Sequence, residues 1–77
     1  MNLREAVAIA KRQVSDLYAP DIPQDMRLEE FLYDDHLMVW SLTIGFSDPP
    51  GSDDSEPRYK IVRVAEGNKS VLSVRDR

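Results

Sequence analysis

Residues 36–46 contain an alternation of side chains that constrains the fold more than any other feature of the sequence. Larger apolar side chains occupy every second position, a period typical of a β-strand with one face against a core. The larger set comprises Met38, Trp40, Leu42, Ile44 and Phe46, and the intervening set comprises Leu37, Val39, Ser41, Thr43 and Gly45. The sequence therefore predicts a strand that buries its larger side chains, Trp40 included, and presents the others on the opposite face.

Residues 2–18 are expected to form the helix that covers this strand. Asn2 is suited to cap the helix, and Glu5 follows three residues later as in a capping box. Pro20 and Pro23 then end the helix. Apolar residues recur at steps of three and four, which places them on one helix face. This face comprises Leu3, Val7, Ala10, Val14 and Leu17, and it is widened by Ala6 and Ile9.

Three further strands are predicted at residues 27–34, 58–65 and 70–76. The first is rich in acidic residues and is expected at an edge of the sheet. Residues 47–57 are expected to form a flexible acidic loop, because proline, glycine and serine dominate there. Short connections favour pairing of neighbouring strands. The predicted fold is a single α+β domain over residues 1–77, in which one N-terminal helix packs on one face of a four-stranded antiparallel meander sheet.

One helix covers only one face of such a sheet, so the other face is expected to be open. The covered face would combine the larger residues of 36–46 with Val62, Val64, Leu72 and Val74. The open face would comprise Leu37, Val39, Ser41, Thr43, Tyr59, Ile61, Arg63, Val71, Ser73 and Arg75. This set predicts a partner-binding surface whose apolar contacts are Leu37, Val39, Tyr59 and Ile61 and whose charged contacts are Arg63 and Arg75.

Two alternatives to a partner-binding surface are left open by the sequence. Single apolar residues are ordinary on an exposed sheet face and need no partner. A bulge in the third strand, residues 58–65, would instead turn some of these side chains inward.

The distribution of charge separates the chain into two parts. The formal charge is −4, with residues 1–56 carrying −8 and residues 57–77 carrying +4. One interpretation is that the basic segment pairs across strands with Glu29 and Glu30. The other is a basic surface for an anionic partner. The net charge argues against nucleic-acid binding.

The absence of an apolar run predicts a cytoplasmic protein with no membrane segment and no signal peptide.

Catalytic chemistry has few candidate residues. The chain has no cysteine, and its single histidine is His36. One imidazole cannot form a metal site alone, and a turn position next to Asp34 and Asp35 is the expected role of His36. Adjacent residues in a strand point to opposite faces, so the paired carboxylates do not predict an acid/base dyad. These pairs are Glu29/Glu30, Asp34/Asp35 and Asp53/Asp54.

Ligand-binding motifs are not predicted either. The loop acids lack the ligand spacing of a calcium-binding loop and are interrupted by prolines. They are Asp48, Asp53, Asp54 and Glu56. The three glycines do not form a phosphate-binding loop, so no cofactor and no metal are expected. The sequence does not identify a small-molecule ligand.

Three segments together resemble the PepSY-like small bacterial domains. They are the helix residues 5–10, the strand that carries Trp40 and residues 42–46, and the closing pair of strands at 59–64 and 71–74. The resemblance implies a one-helix, antiparallel-sheet module with a regulatory or inhibitory binding role and no catalytic residue. In place of the family's usual Val-Asp and Thr-Gly turn, this chain has Val64-Ala65 and Asn68-Lys69.

These observations predict a non-enzymatic bacterial interaction module whose open sheet face binds a protein partner or a second copy. A second hypothesis is an acidic inhibitor or immunity-type protein that neutralises a basic toxin, nuclease or peptidase, with the −8 portion, especially Asp48 to Glu56, facing that partner. A third, from another class, is a small hydrolase that uses His36.

Overall fold

The computed structural model describes residues 1–47 and 58–77. A single helix, α1 (Leu3–Tyr18), is followed by strands β1 (Gln24–Asp34), β2 (Val39–Ser47), β3 (Arg58–Ala65) and β4 (Val71–Asp76). The strands form one antiparallel sheet in the order β1-β2-β3-β4, and α1 packs mainly on β2 and β3. The α+β meander with one covering helix is therefore confirmed.

Helix α1 begins where its cap was predicted. The Asn2 side-chain oxygen accepts a hydrogen bond from the Glu5 backbone N–H at 2.8 Å. The Glu5 carboxylate pairs with the Lys69 ammonium at 2.9 Å, which joins the first turn of the helix to the β3–β4 connection. At 16 residues, α1 is not long and apolar enough to span a membrane, and no other helix occurs among the described residues.

The buried line of α1 differs from the predicted stripe at its C-terminal end. Ala6, Ala10 and Val14 are fully buried at steps of four, whereas Leu17 is 51% exposed. The same step leads on to Tyr18, whose ring centroid lies 5.3 Å from that of Phe46. Because each residue turns the helix by about 100°, Leu17 points away from the sheet. The placement of Leu17 in the core was wrong.

The core combines this helix line with alternate residues of the two central strands. The fully buried strand residues include Leu42, Ile44 and Phe46 of β2 and Val62 and Val64 of β3. In the register, Leu42 is paired with Val62 and Trp40 with Val64, so these side chains share one face. The covered face predicted from the alternation is confirmed for these residues, for the partly buried Trp40 and for Val74, which also packs on the core.

The β1–β2 connection removes Leu37 and Met38 from the predicted strand. Residues 35–38 form a turn, and β2 begins only at Val39. An Asp34 carboxylate oxygen accepts hydrogen bonds from the backbone N–H groups of His36 and Leu37, at 2.9 and 3.0 Å. Met38 has a φ of 58° and is exposed. The alternation therefore runs two residues beyond the strand, and neither Leu37 nor Met38 takes its predicted face.

A bulge in β4 reverses the predicted faces of two residues. Arg63 is paired with Ser73 and Val64 with Val71, so Leu72 is an extra residue opposite that step of β3. Val71 consequently packs against the core, whereas Leu72 is 51% exposed. The sequence placed Val71 on the open face and Leu72 on the covered face, and both placements were wrong. The bulge lies in β4 rather than in the third strand.

Candidate interaction surface

The face of the sheet opposite α1 carries a row of four residues, one from each strand. Glu30 is paired with Thr43, Thr43 with Ile61, and Ile61 with Arg75. Direct partners in an antiparallel sheet point to the same side. Thr43 lies between the core residues Leu42 and Ile44, so all four members point away from the helix. We call these four residues the central row and this face the open face.

A second row follows the central row toward the β1–β2 turn. Leu32 is paired with Ser41, Ser41 with Arg63, and Arg63 with Ser73. Leu32 is 66% exposed, which makes it the most prominent apolar side chain of the open face. One position further, Val39 lies between Asp34 and Ala65.

On the other side of the central row, Gly45 is paired with both Arg27 and Tyr59. The Arg27 guanidinium pairs with the Glu29 carboxylate. A Cβ atom on Gly45 would come within 2.8 Å of a Glu29 carboxylate oxygen, so this acid lies over the glycine. The Arg77 guanidinium lies 4.8 Å from the centroid of the Tyr59 ring. This end of the open face therefore has the Arg27–Glu29 ion pair near β1 and the Arg77 cation near β4.

A shallow depression follows the central row and has a volume of about 230 Å³. It is smaller than the pockets of about 300–1,000 Å³ that enclose small molecules. Its shape suits side chains of a partner better than an enclosed cofactor. Its lining residues are Glu30, Phe31, Leu32, Ser41, Thr43, Ile61, Arg75 and Arg77.

Charge in the central row is segregated between the two edges of the sheet. Glu30 lies on β1 and Arg75 on β4, three strand spacings or about 14 Å apart. Within residues 1–47 and 58–77, no ion pair involves Glu30, Arg63 or Arg75. The alternative in which the basic segment lies beside Glu29 and Glu30 was wrong, because β1 and β4 form opposite edges.

Five of the six predicted partner-binding residues share the open face. They are Val39, Tyr59, Ile61, Arg63 and Arg75. Val39 is only 6% exposed and offers little contact area. Leu37 is exposed but lies in the 35–38 turn, outside the rows.

Sequence reasoning missed Leu32 and Glu30 as members of the open face. Residues 27–34 were predicted as a strand, but no face could be assigned within it. The register shifts between Leu28 and Glu30, which makes Glu29 an extra residue in β1. Alternation counted from Leu28 would put Glu30 on the covered face, so only the register with β2 shows its position.

A cluster of aromatic side chains lies on the helix side of the sheet, beside the β1–β2 turn. The Trp40 ring centroid is 4.8 Å from that of Tyr33 and 6.5 Å from that of Phe31. The Tyr33 hydroxyl donates to the Met38 sulfur at 3.4 Å. Trp40 is half-buried and contacts the edge of the core, so it is a marginal core residue.

Glu66 connects this aromatic cluster to the first residue of the chain. One carboxylate oxygen accepts a hydrogen bond from the Trp40 indole N–H, and the other accepts from the Met1 amino group at 2.9 Å. The hydrogen bond from the amino group, followed by that from Trp40, lowers the pKa of Glu66 below its ordinary value. A lowered pKa in the folded state means that ionised Glu66 stabilises the fold.

We expect the Glu66→Gln variant to have a lower melting temperature than the parent at pH 7 and a smaller deficit at pH 3. The contribution of Glu66 is present above its unfolded pKa of about 4.3 and is lost as the pH falls through the lower folded pKa. Thermal unfolding followed by circular dichroism at both pH values measures the difference. Glu30→Gln is the matched control, because Glu30 has no ion pair in the described part of the chain. A deficit that persists unchanged at pH 3 would contradict this assignment.

The candidate catalytic residues do not come together in the described part of the chain. His36 is exposed in the 35–38 turn, where its backbone N–H bonds to Asp34. Among residues 1–47 and 58–77, no three His, Asp or Glu side chains are placed to hold a metal ion. The calcium hypothesis concerned Asp48, Asp53, Asp54 and Glu56, which lie outside the described residues.

The structure defines the chain as an α+β module with one helix-covered face and one open face. No protein-family model matches the sequence, and neither the curated proteins nor the solved structures contain a match.

Proposed function

We propose that this chain is a non-enzymatic interaction module that binds a protein partner through its open face. The observation that carries the proposal is the composition of that face. It combines the exposed Leu32 and the half-buried Tyr59 and Ile61 with the arginines Arg63 and Arg75, which form no ion pair within the described residues, and no described element packs on it. The regulatory or inhibitory role implied by the PepSY-like resemblance belongs to the same proposal, as does a cytoplasmic location.

The residue types on the open face support contact with protein. Tyr59 and the arginines belong to the types that contribute most of the binding energy in protein interfaces. Ile61 and Leu32 add apolar area between the charged edges.

The test compares the proteins that are captured from host lysate by the immobilised parent, by Ile61→Glu and by a matched control, Leu17→Glu. Leu17 is an exposed apolar residue on the helix, away from the open face. We expect Ile61→Glu to lose binding at least about tenfold, because it places a charge in the middle of an apolar contact. Leu17→Glu should bind as the parent does. Mass spectrometry identifies the captured proteins, and titration calorimetry with the purified partner measures affinity.

Circular dichroism of both variants verifies that they remain folded. The proposal is wrong if the folded Ile61→Glu protein retains every interaction of the parent, including any self-association. Tyr59→Glu provides an independent variant on the same face.

A second candidate is the acidic inhibitor or immunity-type protein. Asp48 to Glu56, on which the sequence hypothesis mainly rested, lie outside the described residues, but the acidic edge of the sheet favours the same candidate. Glu29 and Glu30 lie on β1, and Asp34 and Asp35 follow at its end. A basic toxin or nuclease bound there should associate more slowly as salt is raised. An association rate that is constant between low and high salt would exclude this candidate. The hydrolase hypothesis has a simpler test, because His36→Ala would abolish turnover if His36 were catalytic.

A further inference from the structure

We propose that the partner of the open face is a second copy of this chain, related by a two-fold axis that runs parallel to the strands. This inference rests on the proposed function and specifies its partner. The order of charges along the central row supports this arrangement, because a two-fold axis along the strands superposes the row on its own reverse.

The central row is acidic at one end and basic at the other, so two copies of the row placed in opposite directions bring opposite charges together. It runs Glu30, Thr43, Ile61, Arg75 across the sheet. Consider two copies stacked with their open faces together. A two-fold axis that lies between the two faces, runs parallel to the strands and passes between the Thr43 and Ile61 positions places the β1 edge of one copy over the β4 edge of the other. Glu30 then faces Arg75 of the second copy at one edge, and the reciprocal pair forms at the other edge. Two-fold interfaces repeat every contact in this way.

The other two-fold arrangement of stacked faces is disfavoured by the same charges. An axis perpendicular to the strands would place β1 over β1 and β4 over β4. Glu30 would then face Glu30 and Arg75 would face Arg75, and like charges across an interface oppose association. The segregation of charge therefore selects one axis.

The flanking residues are compatible with this axis but do not repeat the charge pattern. The parallel axis places Ser41 opposite Arg63 of the second copy, and Leu32 opposite Ser73, so the second row brings no like charges together. On the other side of the central row, Arg77 near the β4 edge would face the Arg27–Glu29 ion pair near the β1 edge of the second copy. Because Glu29 already neutralises Arg27, the choice of axis rests on the central row.

The lengths of the side chains also suit two stacked sheets. Packed sheets lie about 10 Å apart, and small side chains in the middle of each face allow that approach. Thr43 and Ser41 provide small side chains near the middle of the open face. Glu30 and Arg75 at the edges are long enough, when both extend, to bridge the gap together.

The area of the face predicts a weak dimer. Four strands spaced about 4.8 Å apart and paired over about seven residues give roughly 400 Å² per copy. Stable interfaces typically bury about 800 Å² per partner. We therefore expect association in the high-micromolar range, with a monomer at low concentration.

Sedimentation velocity from about 10 µM to about 1 mM tests the proposal. We expect the parent to approach the mass of a dimer at the highest concentration. Arg75→Glu and Glu30→Arg should each weaken dimerisation at least about tenfold, because each creates like-charged pairs at both edges. The double variant Glu30→Arg/Arg75→Glu exchanges the two charges and should restore dimerisation to within about threefold of the parent. Arg12→Glu, on the exposed side of α1, is the matched charge control.

Three results would overturn the self-association. They are a parent that stays monomeric at the highest concentration, single variants that dimerise as the parent does, and a double variant that does not recover. If the parent is monomeric but Ile61→Glu still loses a different captured protein, the second copy is excluded while the interaction module stands. If no interaction depends on the open face, both proposals fail.

Discussion

The Ala10→Asp variant is expected to be largely unfolded under conditions in which the parent is folded. Ala10 is fully buried at the contact between α1 and the sheet, within the cluster that holds Leu42 and Val62. A carboxylate there would lose its hydration without gaining a partner, which costs several kcal/mol. A domain of this size has a total stability of about 4–11 kcal/mol, so one such change can remove most of it.

The matched control for this prediction is Ala8→Asp, which makes the same change two residues away. Ala8 is exposed, so we expect Ala8→Asp to lose only about 0.5 kcal/mol of unfolding free energy, because aspartate has a lower helix propensity than alanine. Urea denaturation followed by far-ultraviolet circular dichroism compares the two variants with the parent. Equal losses of stability at positions 8 and 10 would show that α1 does not cover the sheet in the orientation described.

The Phe46→Ala variant is expected to lose about 3–5 kcal/mol of unfolding free energy. The Phe46 side chain is fully buried near the C-terminal end of β2, and its ring packs on Tyr18 at the last turn of α1. Its removal leaves a cavity and also withdraws the contact that holds the end of the helix on the sheet. The loss should therefore exceed that of a typical substitution, which is about 1 kcal/mol.

Phe31→Ala provides the comparison, since it deletes the same side chain from an exposed position on β1. We expect this variant to lose about 1 kcal/mol of unfolding free energy at most, because the loss is limited to the contact of the Phe31 ring with Trp40. Denaturation curves fitted with a common denaturant dependence of the unfolding free energy give the loss of stability for Phe46→Ala and for Phe31→Ala. A ranking in which Phe31→Ala is the more destabilised protein would contradict the assignment of the core.

The fold was predictable because two periodicities in the sequence agree with each other. The alternation over Trp40, Leu42, Ile44 and Phe46 fixes one face of β2, and a helix with a single apolar stripe can cover only that face. The error at Leu37 and Met38 has a physical origin. Alternation continues through the turn, and only the side-chain hydrogen bonds of Asp34 show that the strand begins later.

The open face was only partly predictable, because its rows depend on register. A single extra residue in β1, Glu29, decides that Glu30 and Thr43 are neighbours, and another in β4, Leu72, moves Val71 to the core. A shift of one residue exchanges the two faces of a strand. The residue types of the surface could be inferred from the sequence, but their arrangement across four strands could not.

The position of Trp40 has a practical consequence for measuring how this protein unfolds. The chain has a single indole, and it lies beside Glu66 and the start of α1, whereas Tyr18 and Phe46 meet at the opposite end of the helix. Tryptophan emission therefore follows the loss of structure at the amino-terminal end, while circular dichroism follows the whole backbone. Coincident transitions from the two signals would establish all-or-none unfolding, and an earlier change in emission would identify fraying that starts at the first turn of α1.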